Sequence, residues 1–310
     1  MLFFLADGRL GNQIFQYAFL KTIARKNEKI FCANMKLFFE TFDCESENIK
    51  HYQNKFVIRL IKKIIVPYIL KPLSTIGILG LIKQNRDSMK AALPTYTKKD
   101  GLFPFLFVNT DFFQSESFFT KETLFSEVKI KDKYMDEANK FLSNIPDNFV
   151  KVFVHIRRGD YTNEIFMGTR GIDLPKLYFN KSIAIIKEKI QNPFFVFLSD
   201  DPSYVERCFE DIEPKIISKN SMKVDLAIMS LCNAGIISNS SFSWWGSAFM
   251  RESIIVIAPR YWYGWKQKVE SHHGIYPSRA YIIDVNEDTF PVGLHHLVRC
   301  TAKRYNSSSL

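Results

Sequence analysis

The sequence predicts an α/β protein whose second half is a doubly wound parallel sheet. Three observations carry that reading. From about residue 151 onward, short apolar runs alternate with amphipathic stretches of helical period, the order that a parallel sheet with crossover helices requires. The chain opens in the same way, with an apolar run, a glycine turn and a helix. The apolar runs of the second half also end in turns dense in arginine, aspartate or serine, at the positions where open α/β sheets bind ligands.

Residues 1–6 read as a strand. Asp7-Gly8-Arg9-Leu10-Gly11-Asn12-Gln13 is a glycine-rich turn, and a helix is predicted from about Asn12 to Lys26, with Ile14, Phe15, Ala18 and Phe19 on one stripe. Residues 55–85 differ in kind. Lys55, Arg59, Lys62, Lys63, Lys71 and Lys83 punctuate an apolar background with no acidic residue, and Pro67 and Pro72 limit it to at most two short helices. Such a stretch can lie on an anionic membrane or form a helical subdomain whose lysines reach for solvent. Residues 86–110 read as loop-rich and 111–146 as helical, with Pro146-Asp147-Asn148 as the linker. This predicts a first domain over 1–147 and a second over 148–300, followed by a polar tail, 301–310.

In the second domain, strand 151–156 leads to a helix near 174–190, then strand 194–198 and a helix near 202–210. A short strand at 215–217, a helix at about 222–233 and a strand at 235–237 follow. A helix from Phe242 to about Arg251 and a strand over 254–259 close the set.

Composition bounds the function without choosing it. The chain has 310 residues, 46% of them hydrophobic, and 29 phenylalanines, so its cores are largely aromatic. A net charge of +10 suits an anionic substrate, a membrane surface or nucleic acid. Against nucleic acid, the cations of 55–85 sit among bulky aliphatics rather than between aromatics. Five cysteines, at 32, 44, 208, 232 and 300, include no CxxC pair, which suits a reducing compartment. His272-His273 and His295-His296 lack Cys or carboxylate partners at zinc-ligand spacing. The apolar start is too short for a signal peptide, and no run reaches the length of a membrane span.

Three turns carry the chemistry. After the apolar Val152-Phe153-Val154 come His155-Ile156-Arg157-Arg158-Gly159-Asp160-Tyr161. Paired guanidiniums at the end of a buried strand call for an anion such as a diphosphate, since arginine keeps its charge and presents a fork of donors. The alternative is an Arg–Asp structural clamp. Ser199-Asp200-Asp201 ends the next strand, and one carboxylate is expected to cap the helix at Pro202 while the other faces a ligand. Ser238-Asn239-Ser240-Ser241 runs into a helix N-terminus, where free N–H groups favour an anion, although capping alone accounts for one serine. Trp244 and Trp245 are expected in the core. No Asp-x-Asp occurs to hold a metal-bridged diphosphate, and Arg157 can do that electrostatic work. Candidates for a general base are Asp160, Glu164 and Asp7. Asp160 reads first as a clamp for a neighbouring arginine.

Gly8-Arg9-Leu10-Gly11-Asn12-Gln13, the His155–Tyr161 run and Asn239-Ser240-Ser241-Phe242-Ser243-Trp244-Trp245-Gly246, taken in order, resemble the bacterial α-1,2-fucosyltransferases. Phe197-Leu198-Ser199-Asp200-Asp201 and Ala258-Pro259 match as well. One departure is Ala234, where that family leads one to expect histidine. The resemblance implies a GT-B fold, two Rossmann-like domains facing across a cleft, and inverting transfer of fucose from GDP-β-L-fucose to O2 of a terminal galactose. It implies no metal and no cofactor. The cysteine usage and the apolar start lead to the expectation of a cytoplasmic enzyme, and the basic stretch 55–85 to a peripheral place at the inner membrane face. The resemblance implies that Arg157 holds the β-phosphate of the leaving GDP, that His155 lies near the nucleotide, and that Arg158 supports the site. Asp200 or Asp201 would read guanine or ribose, Ser240, Ser241 and Phe242 would meet the diphosphate and base, and Asn12 would face the reacting centre. Alternatives are a protein O-fucosyltransferase-like enzyme and a non-catalytic binder of nucleotide sugar or nucleic acid.

Overall fold

A computed structural model of the chain describes residues 1–44, 48–85, 93–120, 124–125, 127–286 and 298–299. Cys300, His295-His296 and the 301–310 tail lie outside the described residues. The chain forms two compact units, Met1–Asp136 with His273–Ile275, and Glu137–His272 with the chain from Tyr276 onward. The division falls within the helix Asp132–Leu142, upstream of Pro146.

The first unit opens with β1 (Leu2–Leu5), α1 (Leu10–Ile23), β2 (Ile30–Ala33), α2 (Lys36–Thr41), β3 (Phe42–Cys44) and β4 (Ile49–Tyr52). The helix α1 begins two residues before the predicted start, inside the glycine turn, because Gly8 takes the left-handed bend at φ +81° and the chain enters the helix straight after it. Next come α3 (Lys55–Leu60), a π-helix (Ile61–Leu70) and α4 (Lys71–Thr75). These run on without a break, so Pro67 does not divide the segment as expected. A proline inside an α-helix costs about 3 kcal/mol through its missing N–H and a ring clash. Here the wider π register surrounds it, with the Lys71 N–H donating to the Val66 carbonyl. Ile61, Val66 and Leu70 are buried against Leu5, Ala33 and Phe107, which offsets that cost at roughly 1.5–3 kcal/mol for each side chain.

The stretch expected to be loop-rich contains strands. β5 (Gly80–Asn85) closes the preceding segment, and β6 (Thr95–Lys99) and β7 (Leu106–Val108) fall within 86–110. The region 111–146, expected to be helical, is so in part among the described residues: a 3-10 turn (Glu116–Phe118) and β8 (Val128–Ile130) precede α5 (Asp132–Leu142). The main sheet has the order β4-β2-β1-β7-β5-β6, parallel except for β5 against β6, and β3 pairs with β8 separately.

The second unit follows the predicted alternation closely. It comprises β9 (Val150–Ile156), a hairpin of β10 (Ile165–Phe166) and β11 (Thr169–Arg170), α6 (Lys176–Lys189), β12 (Pro193–Ser199), α7 (Pro202–Cys208) and β13 (Lys215–Ile217). Then come α8 (Met222–Ser230), β14 (Ala234–Ile236), α9 (Ser241–Phe249), β15 (Ile255–Pro259), β16 (Ala280–Ile283) and β17 (Val298–Arg299). The sheet order is β13-β12-β9-β14-β15-β16-β17, parallel apart from the last pair. Its first six strands, numbered in chain order, run 3-2-1-4-5-6, the dinucleotide-binding arrangement. The direction of winding reverses between β9 and β14, and that crevice is where such sheets take ligands.

Candidate functional site at the switch point of the second sheet

Two of the singled-out turns leave the strands at the switch point. His155 is the penultimate residue of β9, and its Nδ1 lies 2.7 Å from the Ser238 Oγ beyond β14, so one hydrogen bond spans the crevice. Burial, and then the Arg157 charge, push the imidazole down to about 3, so it is neutral at physiological pH. The Phe242 ring sits 5.5 Å from it, centre to centre.

Arg157 is held between two carboxylates. One terminal nitrogen pairs with Asp160 and the other lies 2.7 Å from Asp200 Oδ2. Asp200 Oδ1 accepts the Arg158 backbone N–H at 2.8 Å, which ties the end of β12 to the turn after β9. Gly159 is needed for this approach. Its φ is +24°, and a Cβ there would strike the Asp200 carboxylate. Arg158 reaches Asp173 at 3.2 Å and packs its guanidinium 3.7 Å from the centre of the Tyr204 ring. Its buried Nε is 3.5 Å from Asp201, an ionic approach without a directed hydrogen bond.

The expected division of labour between Asp200 and Asp201 takes a specific form. Asp201 caps α7, its Oδ1 accepting the Tyr204 N–H at 3.0 Å. Asp200 is engaged by Arg157 and the Arg158 amide rather than standing open. Ser240 caps α9 by accepting the Phe242 N–H at 3.3 Å, and Ser241, half-buried, opens the helix. Trp244 and Trp245 are fully buried, as the sequence predicts. Ala234, the departure from the family pattern, is the fully buried first residue of β14.

Further contacts of the second unit were not predicted from the sequence. Tyr161 and Tyr263 share a hydrogen bond at 3.2 Å, and the Tyr161 ring lies 5.1 Å from the Arg157 guanidinium. Asn239 is fully buried; its Nδ2 donates to the Ile172 carbonyl at 2.7 Å, while its Oδ1 has no partner. Asp225, in the first turn of α8, accepts from Ser218 Oγ at 2.5 Å, and burial pushes its carboxyl up to about 7. Asp173 and Tyr204 lie far from Arg158 in sequence, and only the tertiary fold brings them to it. Asp225 had a usable signal, an acid inside an otherwise apolar helix.

The remaining residues belong to the first unit or to the hairpin. Asn12 Oδ1 accepts from Gln114 Nε2 at 2.7 Å, joining the turn after β1 to the chain beyond β7, its neighbour in the sheet. Gln16 Nε2 donates to the carbonyls of Asp7 and Asp111, both at 3.0 Å. The Asp7 carboxylate is exposed and 4.0 Å from Lys62. Glu164 is exposed near the hairpin. Among the described residues, no group of three or more His, Cys, Asp or Glu side chains is placed to hold a metal ion.

A sheet of this order, with a cationic turn and a helix N-terminus at its switch point, defines a nucleotide-binding α/β enzyme domain. The particular family follows from sequence: the chain belongs to glycosyl transferase family 11, a fucosyltransferase family, whose profile matches residues 1–276. It is 30% identical over 274 residues to an alpha-1,2-colitosyltransferase of Escherichia coli, covering 83% of this chain and 90% of that one. It is 27% identical over 300 residues to the O-antigen biosynthesis glycosyltransferase WbnK of Escherichia coli, covering 84% and 95%. Among solved structures, POFUT1 in complex with GDP-fucose superposes with a TM-score of 0.49 at 14% identity, over 83% of this chain and 97% of that one.

Proposed function

We propose that this enzyme transfers L-fucose, with inversion, from GDP-β-L-fucose to O2 of a terminal galactose on a glycan, needs no metal, and works in the cytoplasm at the inner face of a membrane. The observation that carries the reading is the Arg157 guanidinium, fixed by Asp200 at the switch point and followed across the crevice by the N-terminus of α9. Departure of GDP builds negative charge on its β-phosphate, and a donor fork that is already oriented stabilises that charge most in the transition state. In this reading Arg157 takes the β-phosphate, while Arg158 is held by Asp173 and Tyr204 and supports it. The neutral His155 lies against the nucleotide without adding charge. Ser240, Ser241 and Phe242 meet the diphosphate and base, and the rim carboxylates Asp200 and Asp201 lie on the guanosine side. Asn12 serves the acceptor. Because fucosyl transfer passes through a cation-like state at the anomeric carbon, a strong acceptor base is less necessary than in acyl transfer. Asp160, Glu164 and Asp7 are the carboxylates available for that part.

One observation favours a second donor, the identity to an alpha-1,2-colitosyltransferase. Colitose is fucose without its 3-hydroxyl, so the same diphosphate site serves either sugar. The test is incubation with GDP-fucose or GDP-colitose and a panel of galactosides, with linkage analysis of the product. An α-1,2-fucosylated galactoside is the expected result. Colitosylation alone would move the reading to the second donor, and no glycoside with either donor would overturn it.

A further inference from the structure

The segment from α3 to α4 has one face that the fold buries and another that it leaves open. Ile61, Val66 and Leu70 point into the first unit. On the open side stand Phe56, Leu60, Ile64 and Tyr68, with Phe56 76% and Tyr68 75% exposed. A step of four residues falls between the α turn of about 3.6 residues and the wider turn of a π-helix. Across a helix that changes from one register to the other, the four side chains therefore keep to a single stripe. Ile69 lies beside it, 44% exposed.

The apolar surface extends past the end of α4. Ile76 is 70% exposed, and the loop carrying Leu102 (79%) and Phe103 (56%) is tied to it through the backbone. The Leu102 N–H donates to the Gly77 carbonyl at 2.9 Å, and the Phe103 N–H to the Ile78 carbonyl at 3.1 Å. Large exposed apolar patches of this kind mark an interaction surface.

The charges beside the stripe identify what it meets. Lys55, Arg59, Lys62, Lys63 and Lys71 are all exposed, and no acid occurs anywhere in 55–85. Lys62 stands 4.0 Å from Asp7 in the turn after β1. A second copy of the chain would have to bring five cations against five cations. An anionic bilayer accepts both the apolar stripe and its cationic borders, as amphipathic interfacial helices do. Among the described residues, no helix is long and apolar enough to cross a membrane.

We infer that this face, the stripe Phe56–Leu60–Ile64–Tyr68 extended by Ile76, Leu102 and Phe103, is a docking surface that inserts shallowly into an anionic membrane. The inference gives residues to the peripheral location proposed above and rests on no assumption about the donor.

The test uses the full chain and vesicles of phosphatidylcholine with or without about a third phosphatidylglycerol. Co-sedimentation should require the anionic lipid and weaken with salt. Each cation at such a surface contributes about a fivefold change in partitioning, the equivalent of about 1 kcal/mol. The double variant Arg59→Glu/Lys63→Glu should therefore fall by at least 25-fold, and Phe56→Ser/Tyr68→Ser should also release the protein. Both pairs are solvent-exposed, so melting temperatures should stay close to wild type. On the unaltered protein, vesicles should slow amide exchange in 55–76 and 101–103. Binding that ignores lipid charge, binding unchanged in both variants, or unchanged exchange in these segments would each overturn the inference. So would a wild-type dimer that the serine variant makes monomeric, which would assign the face to self-association. Fucosyl transfer to a soluble galactoside, measured on the same samples, reads the proposed reaction independently.

Discussion

The two units place comparable turns at comparable points and fill them with opposite chemistry. In each, the first strand lies at the middle of a sheet, with the second and third strands outward on one side and a later strand on the other. The turn that follows β1 is stitched by neutral amides. Gln13 donates to the Gly8 and Asn34 carbonyls and accepts from the Phe38 N–H, Gln16 bridges Asp7 and Asp111, and Gln114 meets Asn12. The turn that follows β9 is stitched by ions, with Asp160, Asp173, Asp200 and Asp201 around Arg157 and Arg158. An ionic turn suits a ligand with fixed negative charge, because guanidiniums held by carboxylates are already oriented for phosphate oxygens. An amide turn suits a neutral ligand rich in hydroxyls, which both donates and accepts. The contrast fits the proposal that the second unit takes the diphosphate and the first the sugar acceptor.

The largest effect that would break this comparison lies in the ionic turn. Arg157→Lys keeps the charge but loses the fork that spans Asp160 and Asp200 and would grip two phosphate oxygens. We expect kcat to fall roughly 10²-fold or more, as when an oxyanion donor is removed, with weaker GDP binding by calorimetry and an unchanged fold by circular dichroism. If Arg157 were only a clamp, the variant would melt earlier and its folded fraction would turn over normally.

A smaller effect should appear in the amide turn. Gln114→Leu removes the 2.7 Å bond to Asn12 Oδ1 and frees the Asn12 side chain from that restraint. We expect a rise in acceptor KM of about three- to tenfold, with the GDP affinity unchanged. A matching loss of GDP affinity would mean that the two turns do not divide the substrates.

The two turns also differed in how legible they were in the sequence. The second unit could be read almost element by element because each strand is a continuous apolar run bounded by polar turns, and its order in space is nearly its order in the chain. Ala280–Ile283 was missed because the irregular stretch before it hides the alternation. In the first unit, β5 and β7 are adjacent strands separated by β6 in the chain, and β6 is exposed along its whole length. Its Thr-Tyr-Thr-Lys-Lys has no apolar face to detect. Pro67 misled for a different reason, since tertiary burial of Ile61, Val66 and Leu70 overrode a local helix breaker. The Arg157–Asp160 pairing was legible in outline, but Asp173 and Tyr204, which hold Arg158, were not, because burial and distance in space leave no local pattern.

Acid should sharpen the comparison by a modest amount. The folded state holds His155 at about 3 against the ordinary 6.5 of a free imidazole, so it binds fewer protons than the unfolded chain between those limits. Stability is therefore lost as pH falls below 6.5, by up to about 1.4 kcal/mol per pH unit for one proton. His155→Asn removes the titrating ring. Between pH 7 and pH 5, its melting temperature should decline less than that of the wild type, by a few degrees. Equal slopes would show that burial and the neighbouring Arg157 charge do not keep the ring neutral.

The smallest expected effect is none at all, on treatment with a chelator. A diphosphate leaving group must have its growing charge met by something, and in many transferases a divalent ion bridges the phosphates. Here two guanidiniums stand at the switch point with an α-helix N-terminus across the crevice, and all three favour an anion. The carboxylates of this rim already have other duties. Asp200 carries Arg157, Asp201 caps α7, and Asp173 holds Arg158. A divalent ion drawn to Asp200 would have to compete with the arginine that we propose binds the β-phosphate, so added metal should give no gain. Turnover of GDP-fucose should therefore be the same after exhaustive EDTA treatment as before it, and the same again after Mg²⁺ or Mn²⁺ is restored. A strict requirement for either ion would mean that the diphosphate charge is met by a metal, and the division between an ionic and an amide turn would no longer account for the chemistry.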